Sequence, residues 1–352
     1  MTTKDKVLDF LLNNNNSSSP LSGEKLAQQI GVSRTSIWKA INTLRDEGFQ
    51  IEGTTNGGYI IQNDKDAFNK ELLSLYFKSS YPEFSNSHIE CFSEIDSTNT
   101  YAKRILAENS NMRNQNGELT PFGKKYNNAI IVAESQTNGR GRLGRTFYSP
   151  KKTGIYLSII YSPKGGIKDP ARLTAFSAVA VKRAIKEVYN IDAKIKWIND
   201  IFVNGKKVCG ILTEGFTNFE TGTIEAAIIG IGINIEDNSD IFPKELSNIA
   251  GGIVSKDNIK SGRCKLASVV AGEVLKVLNE DVTKVMEEYK NGSFIIGQTV
   301  EIHPVIGDDS KNYNAKVLDI DNNASLVVET ESGDVKTLSS GEISLRSSIF
   351  AK

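Results

Sequence analysis

Seven consecutive residues, Gly139-Arg140-Gly141-Arg142-Leu143-Gly144-Arg145, concentrate more potential chemistry than any other stretch of the chain. Glycine lets the backbone take left-handed angles and come close to a ligand. Arginine brings a planar, permanently charged donor fork that matches carboxylates and phosphates. Apolar, strand-like runs flank the tract, 129–133 before it and 154–160 after it. A loop of this composition between two strands is suited to wrapping a small anion. Solvated or RNA-binding Gly/Arg segments come as long repeats, whereas this is a single short copy.

Lys196 is the next residue of interest, in Lys196-Trp197-Ile198-Asn199-Asp200. On a short strand with Ile195 and Trp197 as neighbours, it points either into a cleft or into solvent on an open sheet face. In a cleft its ammonium would hold a carboxylate and a phosphate together while negative charge builds. Asn199-Asp200 reads as a turn. Gly230-Ile231-Gly232-Ile233-Asn234 lacks the third glycine and the following helix of a dinucleotide fingerprint. Glycines at a strand end also let a flat ligand lie against the backbone. Ser97-Thr98-Asn99 is first of all a helix N-cap, whose hydroxyls and amide can also serve a small polar ligand. Gln136 is an uncharged hydrogen-bonding candidate on the same rim, three residues before the glycine loop. No Ser-His or Cys-His arrangement suggests a covalent nucleophile. His88 and His303 are distant from any cysteine pair, so a zinc site is not expected. Cys91, Cys209 and Cys264 are scattered, which suggests packing roles in a reducing compartment.

The elements that must position these residues divide the chain. Its 352 residues suggest two or three domains. Lys+Arg and Asp+Glu are both 42, so any nucleic-acid contact must come from a local patch. No apolar run approaches the roughly 20 residues of a membrane span, and the polar, charged start of the chain is no signal-peptide core.

Residues 1–62 read as one unit. Val7, Leu8, Leu11 and Leu12 predict a first helix, and 13–19 is polar. Ser22 caps a second helix that turns Leu26, Ala27 and Ile30 inward. Gly31-Val32-Ser33 is a tight turn, with Ser33 capping a third helix that carries Ile37, Ile41 and Leu44 on one face. The other face shows Arg34, Thr35, Lys39, Asn42 and Arg45. From Ser33 to Arg45 there are three basic residues and no acidic one, although the whole segment balances six against six. Residues 49–61, broken by Asn56-Gly57-Gly58, read as a hairpin. This is the layout of a winged helix-turn-helix, whose recognition helix enters the major groove. The other reading is a helical protein-interaction module. Ser33, Arg34, Thr35, Lys39, Asn42 and Arg45 are the DNA-binding candidates.

Residues 63–87 read as a linker with a short helix over 68–77. Strands and helices then alternate: a strand at 89–94, a helix at 100–108, a polar surface excursion at 109–128 and a long helix at 169–189. A hairpin follows (194–197, 201–203, 207–214), then a strand at 223–229 and a helix at 263–278. From 293 onward, short alternating strands at 299–303, 314–320, 325–329, 335–338 and 343–346 predict a small antiparallel barrel.

In this order and spacing the pieces resemble the bifunctional biotin protein ligases that are also biotin-operon repressors. The resemblance rests on Gly31-Val32-Ser33-Arg34, Ser97-Thr98-Asn99, Gln136 with Gly139 to Arg145, Lys196 to Asp200, Gly230 to Asn234, and the terminal Gly341-Glu342-Ile343-Ser344-Leu345-Arg346. It implies an α+β multidomain protein: a winged helix-turn-helix (1–62), a linker (63–87), a central mixed α/β catalytic domain of the biotin/lipoate ligase type (88–292) and a small SH3-like β-barrel (293–352). It implies a two-step reaction with biotin, ATP and Mg2+. Biotin's carboxylate attacks the α-phosphorus of ATP to give biotinyl-5′-AMP and pyrophosphate. The amine of one lysine on a biotin carboxyl carrier protein, such as a subunit of acetyl-CoA carboxylase, then displaces AMP.

The resemblance also assigns roles. Ser97, Thr98, Asn99 and Gln136 surround biotin's ureido and carboxylate groups. Gly139, Arg140, Gly141, Arg142 and Arg145 form the phosphate-side loop, and Lys196 bridges carboxylate and phosphate, with Arg140, Arg142 and Lys196 as the catalytic set. Gly230 and Gly232 flank the biotin rings, Asn234 lies toward the nucleotide, and Arg346 brings the barrel to the nucleotide side. The adenylate is also the corepressor of a ligand-promoted homodimer that binds operator DNA, in a cytoplasmic protein with no membrane partner.

Leu143 stands where many relatives have another arginine, Ile198 replaces a proline and predicts a looser turn, and 109–128 is longer than the family suggests. The competing readings are a lipoate-type ligase, a ligand-sensing repressor without catalysis, and a ligase that has lost DNA binding.

Overall fold

A computed structural model describes residues 2–13, 20–46, 49, 51–54, 57–61, 68–108, 111–218, 222–237, 242–255, 262–303, 312–339 and 341–345. Local capping shapes the first unit. Helices α1 (Thr3–Asn13), α2 (Gly23–Ile30) and α3 (Arg34–Asp46) precede strands β1 (Ile51–Thr54) and β2 (Gly58–Ile61). Ser22 Oγ accepts the Lys25 N–H at 3.1 Å, and Gly31 ends α2 at φ +76°. Ser33 Oγ accepts the Ser36 N–H at 3.1 Å, which starts α3. These caps fix the α2–α3 turn, and Val7, Leu8, Leu11, Leu26, Ile37, Ile41 and Leu44 close over it. The side chain of Leu12 and the hairpin residue Asn56 lie outside the described residues. Leu21 exchanges backbone hydrogen bonds of 2.8 and 2.7 Å with Tyr59, which adds a third chain to the wing. Gly58, at φ +90°, is required there, because a Cβ would meet the Leu21 carbonyl oxygen at 2.4 Å.

The helix expected near 68–77 is α4 (Lys70–Ser80), capped by Asn69. The central region then runs β3 (Ile89–Phe92), α5 (Thr98–Glu108), α6 (Pro121–Tyr126), β4 (Ala129–Ala133), β5 (Gly154–Tyr161), α7 (Pro170–Tyr189), β6 (Lys194–Lys196), β7 (Asp200–Val203), β8 (Lys206–Thr217), β9 (Ile224–Asn234), α8 (Gly262–Val277) and α9 (Val282–Gly292). Its seven strands form one sheet in the order β3-β4-β5-β9-β8-β7-β6. The β3–β4 pair is parallel and the others are antiparallel. A parallel pair needs a crossover, which here carries α5 and α6. β4 reads Ala-Ile-Ile-Val-Ala because both its faces are covered. Ile130 and Val132 join the main core with α7 and α8, while Ala129 and Ile131 join a second cluster under α5.

Of the stretch 109–128, residues 109 and 110 lie outside the described residues, and 111–128 is more than a surface excursion. Met112 is fully buried, and Phe122 and Tyr126 pack on the second cluster. The Arg113 N–H donates to Glu225 Oε1 at 2.8 Å, and its guanidinium donates to the carbonyls of Gly117 and Ser162. The sequence reading also omitted α9. That helix buries Val285, Met286 and Tyr289 and is held to α7 by Arg183, which donates to Glu280 at 2.8 Å and to Glu288 at 2.7 Å.

The strands expected from 299 onward form one antiparallel sheet of β10 (Thr299–His303), β11 (Tyr313–Ile320), β12 (Leu326–Thr330), β13 (Val335–Leu338) and β14 (Glu342–Leu345), in the order β13-β12-β11-β10-β14. Val300, Ile302, Ala315, Val317, Leu326 and Val328 are its buried face. The Trp197 indole N–H donates to the Ala324 carbonyl at 2.8 Å and ties this sheet to the central one.

Helix α8 packs on Tyr81 through Gly272, where a Cβ would lie 2.2 Å from ring carbons. Gly272→Ala is therefore expected to cost about 1–3 kcal/mol through overpacking, read as a lower midpoint in equilibrium urea unfolding. An unchanged midpoint would mean that α8 moves off Tyr81 at no cost.

Candidate active site

A cavity of about 570 Å³ opens on the sheet where β5, β9 and β8 meet. Its floor is glycine. Gly210 and Gly232 are register partners, as are Leu212 and Gly230. A Cβ on Gly230 would meet Asn99 Oδ1 at 2.1 Å, and one on Gly232 would meet the Phe147 ring at 2.5 Å. These glycines let Asn99 and Phe147 lie directly on the strands. They sit inside continuous β9, not beyond its end as the sequence suggested.

Neutral hydrogen-bonding groups form one part of the cavity lining. Ser97 caps α5 and accepts the Thr100 N–H at 3.4 Å. Thr98 and Asn99 are the first helical residues, and all three are buried. The Thr98 N–H donates to Gln136 Oε1 at 2.9 Å, and Gln136 Nε2 donates to Ser149 Oγ at 2.9 Å. Ser158 Oγ lies 2.6 Å from Asn99 Oδ1 and 2.7 Å from Thr98 Oγ1. Asn99 Nδ2 donates to Glu214 Oε2 at 2.9 Å. The caps are therefore also the walls of the site.

Cations line the cavity as well, and Arg140 meets the Asn99 side through the shared carboxylate of Glu214. The glycine loop folds back on itself through Gly141 N–H to Arg145 O at 2.7 Å and Phe147 N–H to Gly139 O at 3.0 Å. Leu143 and Gly144 form its tip at φ +52° and +75°. Gly139 does not face the cavity, because a Cβ there would meet Phe147 O at 2.3 Å. Arg140, Arg142, Arg145, Lys196 and Asn234 all line it. Arg140 pairs with Glu214 at 3.3 Å. Arg142 donates to Asn199 Oδ1 at 3.0 Å and to Gly341 O at 3.1 Å, linking the loop to the lysine turn and to the C-terminal sheet. Arg346 lies outside the described residues, but Ile343 on β14 reaches the cavity.

The turn after Lys196 is held more firmly than its missing proline suggested. The Trp197–Ile198 peptide is cis. Tyr289 Oη, whose phenol burial pushes far above the usual range, donates to Ile198 O at 3.1 Å. Asn199 exchanges hydrogen bonds of 3.1 and 2.9 Å with the Ile211 backbone.

The sequence reading missed Phe147, Lys207 and His303, which also line the cavity. Lys207 pairs with Asp200 at 2.6 Å. Its only local signal is the Asn204-Gly205 turn, whose φ values of +49° and +78° return β8 beside Asp200. His303 arrives from β10, and no local pattern announces that.

On α3, Arg34, Thr35 and Lys39 are exposed. Ser33 is engaged as the cap. Arg45 donates from Nε to Ile51 O at 2.8 Å and from Nη1 to Asn42 Oδ1 at 3.4 Å, so it braces the wing. Among the described residues no group of three or more His, Cys, Asp or Glu side chains could hold a metal ion, and no helix is long and apolar enough to cross a membrane.

Fold and site define a class: a winged helix-turn-helix joined to a mixed-sheet domain whose cavity is lined by both neutral hydrogen-bonding groups and a cluster of cations. Residues 92–234 match the model of the biotin/lipoate A/B protein ligase family, and residues 5–60 match a helix-turn-helix domain. The bifunctional ligase/repressor BirA of Bacillus spizizenii is 31% identical over 332 residues, covering 92% of this chain and 94% of that protein. The protein of the same name from Escherichia coli is 27% identical and covers 93% of each. The solved biotin protein ligase from Aquifex aeolicus, in complex with biotin and ATP, aligns with a TM-score of 0.57 at 24% identity over 74% of this chain and 98% of that one; at that identity the match concerns the fold. The chain belongs to the biotin/lipoate protein ligase family, in its branch of bifunctional ligase/repressors.

Burial acts to raise the Glu214 carboxyl, but hydrogen bonds from Lys103 and Asn99 outweigh it and hold the group below the usual carboxylate range. A depressed carboxyl stabilises the fold fully above its unfolded value, about 4.3. That contribution is lost as pH falls through the lower folded value. Glu214→Gln is therefore expected to lower stability at pH 7, with the gap to the native chain closing as pH drops below about 4. Urea midpoints across that window check it, and a gap constant with pH would remove Glu214 from the charge network.

Proposed function

We propose that this protein activates biotin with ATP as biotinyl-5′-AMP, transfers the biotinyl group to one lysine of a biotin carboxyl carrier protein, and represses transcription at operator DNA when the adenylate is retained. The observation that carries the ligase reading is that one cavity is lined both by neutral hydrogen-bonding groups and by the cations of Arg140, Arg142, Arg145 and Lys196. The neutral groups suit an uncharged ureido ring, and the cations suit a carboxylate meeting a polyphosphate.

The chemistry follows from that pairing of groups. Two anions must meet, so the protein's task is to offset their repulsion at the α-phosphorus. Ser97, Thr98, Asn99 and Gln136 hold the ring end of biotin beside the floor of Gly230 and Gly232. Lys196 lies between carboxylate and α-phosphate. Arg140, Arg142 and Arg145 take the phosphate oxygens, with Gly139 and Gly141 giving the loop its shape, and Asn234 and Arg346 serve the nucleotide. Arg140 and Arg142, paired to Glu214, Asn199 and Gly341 here, exchange those partners for phosphate when ATP binds. Magnesium belongs with this reading as a companion of the phosphates, since the described residues present no three-ligand cluster and Mg2+ is commonly held by one or two carboxylates plus substrate phosphates. No nucleophilic side chain is needed, because the second substrate brings its own amine. Closing the loop over the mixed anhydride keeps water out until that amine arrives.

The repressor reading rests on residues 1–62 as a unit, with Arg34, Thr35 and Lys39 toward DNA and Ser33, Asn42 and Arg45 supporting that surface. Adenylate favours a homodimer, so two winged heads bind a palindromic site together. The division at 62, 87 and 292 and a cytoplasmic setting complete the proposal.

The test is biotin-dependent exchange of labelled pyrophosphate into ATP. The native chain should exchange, and Lys196→Ala should lose about 100-fold or more, as for removal of a group that stabilises developing charge. Exchange with lipoate instead of biotin would move the assignment to the other branch of the family. Exchange with neither, alongside retained DNA binding, would leave a ligand-sensing repressor.

A further inference from the structure

The chain has two tryptophans, and the fold treats them oppositely. Trp197 is buried and hydrogen-bonded beside the active site. Trp38 is 56% exposed, in the middle of α3. The core of the domain does not use it, since α3 packs inward through Ile37, Ala40, Ile41 and Leu44.

On helical spacing Trp38 has Arg34 and Thr35 one turn before it and Asn42 one turn after, with Lys39 adjacent. No acidic residue occurs in α3 before Asp46, at its far end. A single exposed apolar side chain is ordinary on a protein surface. An indole at the centre of an acid-free basic face, on the helix that follows a capped helix-turn, presents a large apolar surface to a polyanion. The major groove admits a helix, and its apolar feature is the 5-methyl group of thymine. Arginine and lysine at the flanks would engage phosphates and fix register, which carries no sequence information.

We propose that Trp38 is the apolar reader of the recognition helix, its indole packing on a thymine 5-methyl group in the major groove while Arg34 and Lys39 hold the backbone on either side. This rests on the reading of residues 1–62 as an operator-binding unit. It predicts that part of the sequence preference depends on methyl groups and is insensitive to salt, while the phosphate contacts set the salt dependence.

Duplexes selected from a random-sequence library by the full-length protein, with biotin and ATP present, supply the probe. Each thymine of a half-site is then replaced by deoxyuridine, which removes only the methyl group. At one or more positions the native protein should lose about fourfold in affinity, the worth of one buried methyl. Trp38→Ala should bind the thymine duplex more weakly, keep the native slope of affinity against salt, and be indifferent to deoxyuridine at that position. Lys39→Ala should do the reverse, lowering the salt slope by about one while still discriminating thymine from deoxyuridine. Because the deoxyuridine test on the native protein needs no variant, it stands even if Trp38→Ala is poorly folded. Equal loss at deoxyuridine in native and Trp38→Ala proteins, or no position that discriminates, would overturn the assignment while leaving operator binding intact. Selection of no duplex would overturn the operator reading and this one together. A change in sedimentation of Trp38→Ala without DNA would give the indole to a protein contact instead and also overturn it.

Discussion

How closely two side chains can approach the middle of one sheet decides the shape of this site. Gly230 and Gly232 on β9 lack the Cβ atoms that would strike Asn99 and the Phe147 ring. Asn99 can therefore rest on the strand and link Ser158 to Glu214. Phe147 can lie across the Gly210–Gly232 pair, close to Tyr156 with ring centroids 6.3 Å apart. Any side chain at those two positions would push α5 and the glycine loop outward, and the neutral hydrogen-bonding groups and the cations would no longer face one cavity.

The second constraint is that no single element owns the cationic rim. Arg142 spans three parts of the chain by bonding Asn199 after β6 and Gly341 before β14. Trp197 reaches the C-terminal sheet at Ala324 from the same turn, and Tyr289 on α9 supports that turn from below. The turn that presents Lys196 is thus braced by a helix, by its neighbouring strand and by the small sheet. The arginines of this loop are held by side-chain and carbonyl partners, so a ligand that competed for them would shift the loop.

Much of this was legible in the residues themselves. Caps at Ser22 and Ser33, the left-handed stop at Gly31 and the apolar stripe of α3 are local signals, set by backbone hydrogen bonding within a turn or two, and they place the winged head without tertiary information. The hairpin over 194–214 and the apolar run at 129–133 were readable for the same kind of reason. Residues 109–128 were not, because their polar composition hides Met112, Phe122 and Arg113, whose partners on β5 and β9 lie far along the chain. Helix α9 escaped although it buries Val285, Met286, Tyr289 and Gly292, because polar and charged residues separate these few apolar positions and its cap at Asp281 gives little signal before them. Arg45 read as a DNA contact from its position, but its bonds to Ile51 and Asn42 depend on where the wing returns.

The sequence by itself determined the kinds of groups available: a glycine loop that bends sharply, permanently charged arginines, a lysine, an amide and hydroxyls at a helix start, and an acid-free third helix. Those follow from side-chain chemistry and short-range backbone geometry, which neighbours in the chain control. Only the tertiary structure decided which of them meet. Asn99 touches Glu214, Arg142 reaches Gly341, and Lys207 and His303 join the cavity because strands distant in sequence are registered side by side. That register reflects how all the apolar faces bury together, which no local stretch encodes.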